Sequence, residues 1–247
     1  MKKSIIRSLF ILPVMIGANS AQAQLKTVVM KPQSVFTPKS FDSNDNAQLV
    51  VAGAFTGFCM KVGATEHQVD LISKKITIQQ SVLVNGDCAD LEMYIPYSKV
   101  IDLGALPSGN YDVLALTEDG TYEKKAVLPI SNAVASTSGT SDERFYAPVT
   151  SVSFSVKNSS LNPLLTVSGY FTNSCLDLDS VQISYKSNDV LEVLPLVKVA
   201  RSGCKAITKS FSKTIELSAF PQADTLIHVR SMNGQSLNKV ITNLDRI

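Results

Sequence analysis

Apolar and polar residues alternate one by one along most of this chain, and no stretch carries the three-to-four spacing of an amphipathic helix. Ile76, Ile78, Val82 and Val84 fall on one face of 76–84. Leu191, Val193, Pro195, Val197 and Val199 share a face, with Glu192 and Lys198 opposite. Val181, Ile183 and Tyr185 alternate with Gln182, Ser184 and Lys186. Asn85-Gly86, Asp119-Gly120 and Asn233-Gly234 punctuate these runs, and Asn and Gly accept positive φ at little cost. The pattern predicts half-buried antiparallel strands near 26–35, 47–57, 67–73, 75–84, 92–102, 111–117 and 122–130. A second set is expected near 149–157, 164–173, 180–186, 190–200, 209–217, 225–231 and 236–243.

The two sets are related. Gly53-Ala54-Phe55-Thr56-Gly57-Phe58-Cys59 returns as Gly169-Tyr170-Phe171-Thr172-Asn173-Ser174-Cys175, 116 positions later. Cys88 and Cys204 keep that offset, so each pair is 29 positions apart. A duplicated domain duplicates its staple, which selects Cys59–Cys88 and Cys175–Cys204 among the three possible pairings. Each bridge closes a loop of about 30 residues, worth roughly 3–4 kcal/mol in the chain-entropy account. A zinc site of four thiolates is the competing reading, but zinc ligands come as close C-x2–4-C pairs, which this sequence lacks.

Leu106-Pro107-Ser108-Gly109-Asn110-Tyr111-Asp112-Val113 resembles the entry into the sixth strand of fibronectin type III and immunoglobulin-like domains. The resemblance implies that the Tyr111 hydroxyl bonds back to upstream backbone. Thr225 takes the equivalent place in the second set, so that corner needs another fastening. The absence of Trp and the short cysteine spacing differ from antibody domains. Strand directions put Cys59 and Cys88 at the same pole, so the staple is expected to tie loops and not the two sheets. The fold class expected is all-β: two tandem immunoglobulin-like antiparallel β-sandwich domains, 24–131 and 148–247. Residues 132–147, within a small and polar stretch from Ser131 to Pro148, are expected to form a flexible linker.

The first residues change what the charge means. Lys2, Lys3 and Arg7, the apolar run Leu9–Gly17 and Ala21-Gln22-Ala23 read as a signal peptide, 1–23, cut before Gln24. Removing three bases and no acids turns the formal charge of +2 into −1. A nearly neutral product without a basic run offers no footprint for nucleic acid. No segment is long enough for an integral membrane span, which needs about 20 apolar residues. The expected location is the periplasm or the outside of the cell, where disulfides persist.

Candidate chemistry is sparse. Only His67 and His228 could serve as a histidine base. His67 shares a strand face with Val69 and Leu71, and His228 has exposed-face spacing beside Ile227 and Val229. No phosphate-cradling loop, metalloprotease helix or dinucleotide fingerprint is present, so neither an enzyme nor a cofactor is expected. Asp42-Ser43-Asn44-Asp45-Asn46 resembles the calcium segment of cadherin junctions, which makes Asp42, Asn44, Asp45 and Asn46 calcium candidates; a solvated turn is the plain alternative. A sugar platform normally recruits exposed aromatics, and the sequence shows no Trp and only seven Tyr. An enzyme-inhibitor or toxin role would live in loops such as Lys61–Glu66 or Ser174–Asp179 beside the staples, and nothing in the sequence selects it.

The function that remains is a secreted, non-enzymatic module for adhesion, envelope architecture or binding of a protein or cell-surface partner. The alternative is a periplasmic chaperone working by β-strand addition, with Tyr122–Ile130 as the donor edge. The polar linker argues against the fixed cleft such a chaperone uses.

Overall fold

The computed structural model describes residues 25–86, 93–133, 146–156, 162–187, 189–199, 203–217 and 224–242. The expected signal peptide and most of the expected linker lie outside the described residues.

Fifteen strands and no helix make up the described chain. The first half runs β1 (Leu25–Val29), β2 (Ser34–Phe36), β3 (Ala47–Thr56), β4 (Met60–Asp70), β5 (Lys75–Asn85), β6 (Tyr94–Gly104), β7 (Gly109–Leu116) and β8 (Tyr122–Ile130). The second half continues with β9 (Val149–Val156), β10 (Pro163–Phe171), β11 (Leu176–Ser187), β12 (Val190–Val199), β13 (Lys209–Glu216), β14 (Thr225–Arg230) and β15 (Ser236–Ile241). The alternation explains the placement: Ile76, Ile78 and Val82 on β5 are buried, while Thr77 and Gln79 between them stay half-exposed.

Four sheets form. In the first half, β4 lies along one side of β5, with β1 and β7 sharing the other side and β8 beyond β7; β2, β3 and β6 make a second sheet. The second half has β11-β12-β14-β15 and β13-β10-β9. Purely antiparallel sheets were expected, and one pair in each half differs. β5 runs parallel to β7, with Ile76 opposite Val113, and β12 runs parallel to β14, with Leu191 opposite Ile227. In each half a single strand, β6 or β13, passes through the facing sheet between the two paired strands, so the chain reverses twice and they run the same way.

The expected long first strand is also split. Residues 25–29 pair with β5, whereas 34–36 pair with β3 in the facing sheet. Two further strands begin earlier than their patterns suggest. β4 and β11 start directly after the cysteines, and each has a register shift, between Val62 and Thr65 and between Leu178 and Ser180. Such irregularities interrupt period-2 alternation, so the sequence reads as loop where the strand already runs.

Three apolar layers separate the four sheets. Leu49, Val51 and Ile101 meet Ile76, Ile78, Tyr111, Val113 and Leu128 inside the first half. Leu165 and Val167 meet Leu191, Val193, Ile227 and Val229 inside the second. A third cluster joins Phe36, Val50 and Ala52 of the first half to Val190 and Leu226 of the second. The halves are therefore docked sheet on sheet.

The duplicated Gly-x-Phe has a structural reason. Gly53 lies opposite Tyr97 on β6, and Gly169 lies opposite Phe211 on β13. In both places the cross-strand aromatic covers the glycine and packs on the phenylalanine two residues on. The ring centroids are 4.6 Å apart for Phe55–Tyr97 and 5.1 Å for Phe171–Phe211. A Cβ at Gly53 would sit 2.8 Å from the Tyr97 hydroxyl, and one at Gly169 only 2.0 Å from the Pro148 carbonyl oxygen.

Candidate functional site

The densest polar chemistry sits at the contact between the halves. β14 is buried at all six positions because its two faces meet different partners. Ile227 and Val229 enter the second half's core, while Leu226 joins the apolar layer between the halves. His228 and Arg230 share the Leu226 face by strand alternation. They are paired with residues of the first half.

Arg230 and Asp45 form a buried ion pair, with side chains 2% and 3% exposed. Arg230 Nη1 donates to Asp45 Oδ2 at 2.7 Å and to the Ser40 carbonyl at 2.9 Å, and Nη2 donates to Asp45 Oδ1. The guanidinium also lies 5.4 Å from the Phe41 ring centroid and 5.0 Å from that of Tyr146. A fork of this kind suits Arg, whose planar donors match both carboxylate oxygens.

A hydrogen-bonded chain runs alongside. Gln48 on β3 donates to Asp102, while its Oε1 accepts from Ser236 Oγ at 2.6 Å and from Asn238 Nδ2 at 2.7 Å. Asn238 Oδ1 in turn lies 2.8 Å from His228 Nδ1, which assigns the proton to Nδ1. Burial, with Arg230 nearby, pushes His228 down to about 4, although the Asn238 bond acts the other way. The imidazole is neutral at ordinary pH and stands edge-on to Phe41 at 5.1 Å. Glu192 lies opposite His228 in the parallel pair and accepts from the Lys39 backbone N–H. Glu192 Oε2 and His228 Nε2 are buried without a hydrogen-bond partner among the described residues.

This arrangement corrects two expectations. His228 faces the other half and not solvent. The Asp42–Asn46 loop is not a solvated turn within one domain, because its Asp45 carboxylate reaches across to Arg230. The loop closes on itself through Asp42 N–H to Asp45 Oδ2 at 2.8 Å and Asn44 N–H to Asp42 Oδ1 at 3.1 Å. Asn44 is exposed and Asn46 half-buried. The cation that meets this acidic loop in the structure is a guanidinium.

The remaining candidates are dispersed. His67 is exposed on β4. Tyr111 is fully buried, and its hydroxyl donates to the Pro107 carbonyl at 2.9 Å. Cys175 and Cys204 are bridged, with Cα atoms 5.1 Å apart, in the loops between β10 and β11 and between β12 and β13. Two bonds of 2.9 Å join Ser174 and Lys205 beside the bridge. Cys59 occupies the matching loop between β3 and β4, and Cys88 lies outside the described residues. The expected loop Lys61–Glu66 is β4, and Leu176–Asp179 is the start of β11. The donor candidate β8 is the outer strand of its sheet, and its Val127 carbonyl accepts from Thr37 Oγ1 at 3.0 Å. No group of three or more metal-ligating side chains occurs among the described residues. No described helix is long and apolar enough to cross a membrane.

Sequence reasoning missed Arg230, Glu192 and Gln48. The signal was present as polar residues alternating with a strand's core positions, which is also what a wet face looks like. Comparison with family models, characterised proteins and solved structures returns no match.

Proposed function

We propose that this chain is an exported, non-enzymatic binding module whose two tandem immunoglobulin-like domains act as one rigid body. The observation that carries the reading is the docked interface. The buried Arg230–Asp45 pair and the Gln48–Asn238–His228 chain are spent on fixing one half against the other. A bridge of Cys175 to Cys204 suits an oxidising compartment. A module that must present surfaces in a constant relation benefits from such a clamp, because a rigid scaffold lowers the ordering cost of binding.

Strand addition at β8 is the second reading, favoured by its outer position in the sheet. It needs the Thr37 bond to Val127 to open first.

The test is fractionation of the native cell with mass analysis of the purified protein, followed by cross-linking. Export predicts a mature chain beginning at Gln24, found in the envelope or medium and held there by a stoichiometric partner. A cytoplasmic protein with its first residues intact overturns the reading. Transfer of partner binding to a β8 edge variant, Val127→Pro, without loss would exclude strand addition alone.

A further inference from the structure

We infer that the outer face of β4 and β5 beside Tyr122 is a binding site for a neutral saccharide; this rests on the reading of the chain as a binding module. A pocket of about 340 Å³ opens there, lined by Glu66, His67, Gln68, Thr77, Gln79 and Tyr122. The face belongs to one of the two outer sheets of the four. Ile76 and Ile78 turn inward to the core and leave Thr77 and Gln79 outward, so the site is open to solvent.

Register builds the floor. Glu66 lies opposite Gln79, and Gln68 opposite Thr77, on neighbouring strands. Side chains so paired stand about 5 Å apart, close enough for one ring to span both. Tyr122, 52% exposed, rises from β8 opposite Leu116 of the intervening β7. Strands spaced about 4.8 Å apart put β8 roughly 10 Å from β5, which leaves a trough with an aromatic wall.

The lining selects the ligand. Gln68 and Gln79 each offer a donor and an acceptor, Glu66 an acceptor, and Thr77 a hydroxyl oxygen whose proton reaches the Gln68 carbonyl at 3.5 Å, which together complement a polyol. The face of Tyr122 carries negative charge density that attracts the polarised C–H groups of a sugar ring. No Lys or Arg among the described residues lines the pocket, so nothing there recognises phosphate. Apolar side chains are too few to hold a lipid. Glycoside hydrolysis uses two carboxyl groups about 5–9.5 Å apart, and the lining has one, so the site binds without cleaving.

Free polar groups distinguish this face from the other polar sheet surface. On β10 and β13, Thr166 bonds Thr214 at 2.9 Å and Ser168 bonds Ser212 at 3.0 Å, so those hydroxyls satisfy each other. In the pocket, no hydrogen bond or ion pair within the described residues engages the side chains of Glu66, His67, Gln68, Gln79 or Tyr122. Their capacity is available to a ligand.

The experiment is a titration of the full mature protein with a panel of neutral and N-acetylated oligosaccharides, read by tyrosine fluorescence and by two-dimensional NMR. The absence of Trp leaves tyrosine as the reporter. At least one saccharide is expected to bind, with Tyr122→Ala and Gln79→Ala each weakening it about tenfold and the distant Tyr170→Ala leaving it unchanged. All three sites are surface positions, and thermal melts confirm that the variants fold. No binding by any panel member, or binding indifferent to Tyr122→Ala, overturns the inference while leaving a captured protein partner, and so the module reading, intact. Release of new reducing ends would overturn the module reading instead.

Discussion

At the residue scale, the decisive groups are those buried between the halves. Asp45 and Arg230 are removed from water together, which is tolerable only while both remain. Asp45→Ala leaves a buried guanidinium and is expected to destabilise the protein by about 3–5 kcal/mol in urea unfolding. The double change Asp45→Leu with Arg230→Met is expected to recover most of that loss, since well-packed apolar pairs often replace buried ion pairs without penalty. His228 links the same interface to acidity. Its proton affinity falls from 6.5 to about 4 on folding, because burial disfavours the imidazolium. The unfolded chain therefore binds more protons between those values, so stability is full above pH 6.5 and declines as pH falls. Asn238, Phe41, Arg230, Asp45 and Glu192 are the groups around it. About 2 kcal/mol should be lost from pH 7.5 to 5, from the 1.36 kcal/mol carried by each pH unit. His228→Gln should flatten that slope; an unchanged slope would place the titrating group elsewhere.

At the element scale, strand existence was legible in the sequence and strand beginnings were not. The run at 75–85 alternates, those at 190–199 and 225–230 are rich in β-branched and apolar residues, and all three are strands. β4 and β11 escaped at their first residues because the register shifts at Val62–Thr65 and Leu178–Ser180 break the alternation. Glycine in the repeat looked like a mere marker of relatedness; the structure gives it a task beneath Tyr97 and Phe211. The two glycines should not be equally sensitive. A Cβ at Gly169 runs into the Pro148 backbone, which cannot swing aside, whereas at Gly53 it meets the Tyr97 side chain. Gly169→Ala is expected to cost about 3 kcal/mol or more, and Gly53→Ala about 1 kcal/mol, by chemical denaturation. Equal effects would mean that the backbone near Pro148 relaxes freely.

At the scale of the whole molecule, three apolar layers hold four sheets, and the middle layer makes the halves interdependent. Two independent domains joined by a linker would melt separately, each bridge supporting its own. With Phe36, Val50 and Ala52 packed on Val190 and Leu226, calorimetry should instead show one transition. Cys204→Ser is expected to lower that single transition by about 3 kcal/mol of stability and to reduce amide-exchange protection in β3 as well as in β12. Loss confined to the second half would mean that the middle layer contributes little. The same packing explains why the relation between halves escaped the sequence. Asp42–Asn46 reads as a polar turn, and Leu226-Ile227-His228-Val229-Arg230 reads as a strand with one wet face. Nothing local to either segment names the other, 185 positions away.

Near-neighbour patterns suffice for the β class, most strands, the pairing of Cys175 with Cys204, and the bond of the Tyr111 hydroxyl to upstream backbone. These follow from alternation, turn chemistry and spacing, which act over a few residues or through duplication. Long-range packing alone sets the parallel pairs β5–β7 and β12–β14, the docking of the halves, and the grouping of Glu66, Gln68, Thr77, Gln79 and Tyr122 around one trough. A polar residue on a strand carries the same local signature whether it meets water, a ligand or another sheet. Which of these it meets is settled by long-range packing, through the strong penalty for burying a polar group without a partner.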